Sequence, residues 1–115
     1  EYLLAQMDAH LIVQVIINLV DNAAKAYDTG MENRKVCLTV SGSTIEVSDN
    51  GRGIPKEALP RIFEPFYMVD KSRSKKSGGS GLGLTLVRKI ADAHGAEITV
   101  ESSVGKGTTV RLRFQ

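Results

Sequence analysis

What this sequence lacks narrows it quickly. It has one cysteine in 115 residues, Cys37, so no disulfide can staple the chain. Cys37 lies in the apolar run KVCLTV and is expected to be a buried, reduced thiol, a usage compatible with a reducing, cytoplasmic setting. Charge imbalance is small, a formal net +2, which does not suggest a nucleic-acid binder even though basic residues gather between Lys71 and Lys76. No apolar run reaches about 18 residues without a charge, so no membrane-spanning helix is expected. No signal-peptide pattern is visible. There is no initiating methionine: the chain opens on Glu1 in mid-pattern, as EYLLAQMD, and is expected to be a piece of a longer protein. Internal repeats and boundaries are also absent, which leaves one domain over residues 1–115, long enough to bury a core.

What is present alternates between helical and strand periods. YLLAQM reads as a short strand. Asp8 reads as the N-cap of a long helix to about Tyr27, apolar over most of its circumference and so expected to be buried almost all round. VCLTVSG and TIEVSDN read as paired strands joined near Gly42-Ser43, and KEALPRIF has room for one or two helical turns. Met68–Ser80 is a polar stretch whose length suggests a lid or binding loop. LGLTLVRKIADAH carries Leu82, Leu86, Ile90 and Ala93 at helical spacing, with Gly95 as its stop. EITVESS and TTVRLRF close the chain as a hairpin around VGKGT. The order predicts an α/β two-layer sandwich (α+β), with a mixed, mostly antiparallel sheet of about five strands covered on one face by about three helices.

Three polar features interrupt that pattern. On the first helix Asn18, Asp21, Asn22 and Lys25 share one stripe, with Asn18 and Asn22 one turn apart. Helix interiors disfavour asparagine, and an unpaired buried amide costs roughly 1–3 kcal/mol, so the stripe should line a cleft unless both amides only bridge backbone. A neutral amide oxygen suits Mg²⁺ as one ligand among phosphate oxygens and waters, and a lysine beside it suits a phosphate. SGGSGLGLTLV runs into a helix N-terminus, which favours an anion, although glycines alone would equally make a linker. DNGRGIP (Asp49–Pro55) opens like a hairpin turn, yet Pro55 and the helix-like KEAL follow instead of a strand. It therefore reads as a loop holding the Asp49 carboxylate beside an open glycine floor, where it can accept from the exocyclic amine of adenine. Neither G-x-G-x-x-G after a strand nor a Walker loop is completed.

NLVDNAAKA, DNGRGIP, RIFEPFY, GGSGLGL and GKGT stand in that order. With them the chain closely resembles the catalytic, ATP-binding domain of bacterial sensor histidine kinases. That domain belongs to the Bergerat-type superfamily with DNA gyrase, the heat-shock chaperone ATPases and the mismatch-repair ATPases. The resemblance implies ATP and Mg²⁺ as cofactors and assigns roles in this numbering. Asn22 is the metal ligand, with Asn18 and Lys25 near the phosphates. Asp49 reads adenine, and Gly51, Gly53 and Ile54 shape its pocket. Phe63 and Phe66 are the aromatic pair at the lid hinge, with Phe66 and Tyr67 on the nucleotide. Gly81, Leu82, Gly83 and Leu84 lie under the phosphates, and Thr108 is the far-side hydroxyl. Departures are Met68, where many members have arginine, Ala26, where many have tyrosine, and Ala96 in place of a glycine. Arg73, Lys75 and Lys76 are the alternatives for lid charge, and no role is carried over to Ala26 or Tyr27.

The hydrolysing branches of that superfamily place a water-activating glutamate where this chain has Asn18. An amide cannot act as a general base, which implies transfer to a protein acceptor. His10 and His94 lack the acidic neighbour of a phosphoacceptor box, so the acceptor histidine is expected on a separate helical dimerisation domain, with a response-regulator aspartate downstream. The resemblance further implies a monomeric cytoplasmic module with no membrane contact of its own and no nucleic-acid partner, and leaves anchoring of the parent open. The alternative from another class is an anti-sigma-factor-like serine kinase or binding module sharing the same fold. A basic nucleic-acid binder built on Lys71–Lys76 rests on the charge cluster alone.

Overall fold

A computed structural model of the chain describes residues 9–27, 30–65, 67 and 83–114. The elements in order are helix α1 (Ala9–Ala24), strands β1 (Val36–Ser41) and β2 (Thr44–Asp49), a 3-10 turn over Leu59–Arg61, helix α2 (Gly83–Ala93), and strands β3 (Glu97–Ser103) and β4 (Gly107–Arg113). The expected strand over residues 2–7, the Asp8 cap and the polar stretch 68–80 lie outside the described residues.

The four described strands form one sheet in the order β1-β2-β4-β3. Every pairing among the described strands is antiparallel, where a mixed, mostly antiparallel sheet was expected. Tight turns make hairpins of β1–β2 and β3–β4, and the connection through α2 brings β4 back beside β2. About five strands and three helices were expected; among the described residues there are four strands, two α-helices and the 3-10 turn. The two-layer sandwich itself is as expected.

Register fixes which side chains share a face, because successive residues of a strand point to opposite sides. Val40, Ile45, Leu112 and Ile98 lie in one row across the sheet, and Leu38, Val47, Val110 and Val100 in the next. Both helices cover this face: α1 packs on α2 and over β2 and β1, and α2 over β3. Val15, Leu19 and Ala23 recur every four residues on α1, and Val87, Ile90 and Ala91 face them from α2; all join the buried cluster with Ile45, Val47, Val110, Leu112 and Phe114. Ile45, Leu112, Val15 and Val87 are fully buried, each such side chain stabilising the fold by about 1.5–3 kcal/mol. Ala96 N–H turns back to Ala91 O at 2.8 Å and closes α2 at the Gly95 stop.

Two expectations of burial are corrected. Helix α1 is not buried all round, since Val13 is 50% and Ile17 59% exposed. With the sheet beneath and α2 on one flank, the remaining side of α1 has no described neighbour. Cys37 is exposed rather than buried. It alternates with Val36 and Leu38 and so points to the sheet face opposite the helices. That outer face is polar: Arg111 and Glu46, paired across β4 and β2, form an ion pair at 2.7 Å.

Candidate functional site

The third row of the helix-facing side breaks the apolar pattern. In register beyond Val47, Val110 and Val100 stand Asp49, Thr108 and Ser102. A carboxylate and two hydroxyls thus lie side by side at the end of the sheet, next to the apolar rows of the core. Thr108 is buried and Asp49 half-buried.

Asp49 accepts a hydrogen bond from Gly51 N–H at 2.8 Å. Burial pushes its pKa above the ordinary carboxylate value. The N–H groups of Gly51 and Thr108 and the Arg52 guanidinium pull the other way, because they favour the charged form. Asp49 is therefore an acceptor that has lost part of its hydration and keeps directed donors on one side. Such a group gains from a further donor in the cleft.

The DNGRGIP loop is stitched to three elements rather than turning back into a strand. Arg52 N–H donates to Ala26 O at 2.7 Å and the Arg52 guanidinium to Lys25 O at 3.0 Å. These are carbonyls at the C-terminal end of α1, which need partners and attract positive charge. Asn50 Oδ1 accepts from Tyr27 Oη at 2.8 Å and from Lys35 N–H at 2.8 Å, and Asn50 Nδ2 donates to Asn33 O at 2.7 Å. Gly105 N–H donates to Arg52 O at 2.8 Å, and Ile54 N–H to Ser102 Oγ at 2.8 Å. The approach is close enough to require glycine. A Cβ on Gly51 would stand 2.2 Å from Ala26 O, and one on Gly107, at φ +115°, 2.0 Å from Asp49 O. Gly53 is likewise closed against Ser103 O. The glycines beside Asp49, expected as an open floor, stand in tight backbone contact.

On α1, Asn18 is half-buried and Asn22 exposed. Asn18 faces the first turn of α2: a Cβ on Gly83 would meet Asn18 Oδ1 at 3.6 Å. The amide stripe and the N-terminus of α2 are thus brought together. Lys25 Nζ, expected to be available for a phosphate, pairs with Asp21 at 2.9 Å, as their i,i+4 spacing permits. Leu84 is half-buried against the core cluster. Tyr67 stacks under the Arg61 guanidinium at 4.5 Å. Phe63 lies 5.4 Å from the Arg88 guanidinium, and Phe63 O accepts from Thr85 Oγ1 at 3.0 Å, which ties RIFEPFY to α2. Phe66, Arg73, Gly81 and Leu82 lie outside the described residues, as do Met68, Lys75 and Lys76.

Sequence reasoning missed Asn50, Arg52, Tyr27 and Ser102 as members of this site. Only Ser102 left a signal: counted by twos from Ile98 and Val100, it is a polar residue at a core-facing position. The others act through loop contacts that no local period reveals.

Comparison with known proteins agrees with this geometry. Residues 7–115 match the family model described as histidine kinase-, DNA gyrase B-, and HSP90-like ATPase. The chain is 42% identical over 115 residues to the sensor histidine kinase YkoH of Bacillus subtilis, covering 99% of this chain and 25% of that protein. It spans about a quarter of the length of the curated relatives it matches. Among solved structures, the mycobacterial sensor histidine kinase MprB superposes with a TM-score of 0.72 at 26% identity, covering 95% of this chain and 74% of that one. Full-length ShkA in complex with AMPPNP gives 0.66 at 28% identity, covering 90% and 21%. With the family match running over residues 7–115, nearly its whole length, the chain belongs to the histidine kinase-, DNA gyrase B- and HSP90-like ATPases.

Proposed function

We propose that this chain binds MgATP in the cleft between α1 and the Asp49 end of the sheet and presents the γ-phosphoryl group to a histidine on a separate dimerisation domain. The observation that carries the reading is the row of Asp49, Thr108 and Ser102 on the buried face of the sheet. It supplies a desolvated carboxylate acceptor where the exocyclic amine of adenine can donate. ShkA, a protein of similar fold, is known in complex with AMPPNP, which supports a nucleoside triphosphate as the ligand.

The residues of α1 fit a phosphate-bound Mg²⁺. Asn22 offers an exposed, neutral amide oxygen, suited to share such an ion with phosphate oxygens and water. When bound, the ion offsets charge on the transferring phosphoryl group. Asn18, one turn away, lies beside Gly83 at the start of α2, where backbone N–H groups favour an anion. Lys25 is held by Asp21 and reaches a phosphate only by exchanging that partner. The chain contributes orientation and electrostatics, not a nucleophile. In transfer, the bond from phosphorus to the bridging β-oxygen breaks as one to an imidazole nitrogen forms, and ADP leaves. Asn18 offers no carboxylate to activate water, which favours histidine over hydrolysis. A response-regulator aspartate is the acceptor proposed downstream. The relatives matched are named as histidine kinases, which supports this reading over a serine-directed module.

The test is to incubate the chain with γ-labelled ATP, Mg²⁺ and the helical histidine domain of its parent protein. Label on the acid-labile phosphohistidine of that domain, with none on His10 or His94 of this chain, is expected. Stoichiometric label on either of those histidines, or on serine, overturns it.

A further inference from the structure

The hydroxyl pair in the third row has a polarity that its neighbours dictate. Ser102 Oγ has three partners: it accepts from Ile54 N–H at 2.8 Å, donates to Gly107 O at 3.0 Å, and lies 2.8 Å from Thr108 Oγ1. A serine hydroxyl owns one proton. A carbonyl oxygen can only accept, so that proton belongs to Gly107 O. Ser102 is then an acceptor toward Thr108, and Thr108 must spend its own proton on Ser102. What Thr108 has left is lone pairs. Asp49, its neighbour in the row, is also an acceptor when ionised. This end of the cleft therefore offers acceptors only.

We propose that Ser102 is a specificity-positioning residue: by fixing the Thr108 hydroxyl as an acceptor, it makes the pocket select a purine with an amino group at its 6-position over one with a carbonyl there. The proposal rests on the adenine-site reading given above. A 6-amino edge donates, directly or through a held water, into a row that only accepts. At that position a 6-oxo group sets a third acceptor against two, and the donor it brings is displaced to N1. With Asp49 alone, a hydroxyl free to rotate could turn its proton toward the carbonyl oxygen and recover part of the loss. Ser102 removes that freedom. Sites whose polar groups cannot adapt reject the wrong edge strongly, because it leaves buried groups unpaired.

The experiment compares ATP and inosine triphosphate binding by calorimetry in the unmodified chain, Ser102→Ala, Ser102→Thr, Thr108→Val and the Ser102→Ala/Thr108→Val pair. Ser102→Ala is expected to lower the ATP-to-ITP affinity ratio on the order of tenfold, partly by improving ITP. Ser102→Thr, which keeps the hydroxyl, should restore the ratio. In the Thr108→Val background Ser102→Ala should change the ratio no further, since the two act through one bond. An unchanged ratio in a folded Ser102→Ala variant overturns the proposal, as does a change that persists in the Thr108→Val background. If neither nucleotide binds the unmodified chain, the adenine-site reading falls first. Should Ser102→Ala not fold, NMR of the unmodified chain decides. A protected Thr108 hydroxyl proton with a cross-peak to the Ser102 β protons supports the assignment, and one directed at the bound purine refutes it.

Discussion

Replacing Gly51 by alanine tests whether the end of α1 and the Asp49 loop are one assembly. The added Cβ would meet Ala26 O at 2.2 Å, with Ala26 C and Cβ both at 2.9 Å. Ordinary contact begins near 3.4 Å, so loop and helix end must separate by about 1.2 Å, and backbone on both sides leaves no flexible tip to yield. That movement carries the 2.7 Å bond from Arg52 N–H to Ala26 O out of range, and with it the 3.0 Å bond from the Arg52 guanidinium to Lys25 O. Two such bonds contribute about 0.5–1.5 kcal/mol each, and forced overpacking costs about 1–3 kcal/mol. The loss is roughly 2–6 kcal/mol against a stability of about 5–15 kcal/mol. Urea unfolding should shift by roughly 1–3 M at a slope of about 2 kcal/mol per M. Gly51 N–H also holds Asp49, so ATP affinity should fall at least about tenfold in the fraction that stays folded. The control is Gly42→Ala, at φ +56° with nothing within 4 Å. It carries about 1–2 kcal/mol of left-handed strain in a turn away from the cleft and should leave affinity unchanged. A Gly51→Ala variant with unaltered midpoint and affinity would show that the helix end and the loop are not coupled as described.

Four further outcomes are expected. Asp49→Asn replaces an acceptor-only carboxylate with a group that also donates, so ATP binding measured by calorimetry should weaken by roughly 10–150-fold, the loss of one charge-assisted hydrogen bond. The same change has a signed effect on the free chain. Because the folded pKa of Asp49 is raised, its contribution to stability is full below the ordinary carboxylate pKa and is lost as pH rises through the raised value. Asp49→Asn should therefore make the unliganded chain more stable than the parent above that window, with the gap closing in acid; a gap that widens in acid contradicts the burial argument. Asn22→Ala should abolish the Mg²⁺ dependence of triphosphate binding, and dependence that survives removes Asn22 as the ligand. Ile45→Ala empties a fully buried position on the middle of the sheet and should lower unfolding free energy by about 2–5 kcal/mol, with nucleotide affinity unchanged at saturating folded fraction.

The sequence announced the layers well, because helical and strand periods are local and strong. Val15, Leu19 and Ala23, and separately Ile45 and Val47, declare a buried face with no need of partners. It was less clear about which faces stay open. Helix α1 has apolar residues on three sides, and only the placement of α2 decides that Val13 and Ile17 are left exposed. Cys37 sits among valines and a leucine, but strand alternation sends it to the uncovered face. Asp49 and the glycines stood out as candidates because few folds need that spacing, and Asn18 and Asn22 because amides are rare on an apolar helix. Arg52, Asn50 and Tyr27 were not legible, since their partners, backbone atoms and in the case of Asn50 and Tyr27 each other, are remote in the chain. Lys25 was read as suiting a phosphate, and its ion pair with Asp21, four residues earlier, came into view only in the structure.

The most direct test of a nucleotide in the Asp49 cleft is calorimetric titration of the folded chain with ATP, with and without Mg²⁺. One equivalent should bind, more tightly with the ion, and in Asp49→Asn the affinity should fall by roughly 10–150-fold. Properly folded chain that gives no heat at millimolar ATP, or that binds ATP equally well without the Asp49 carboxylate, contradicts the account.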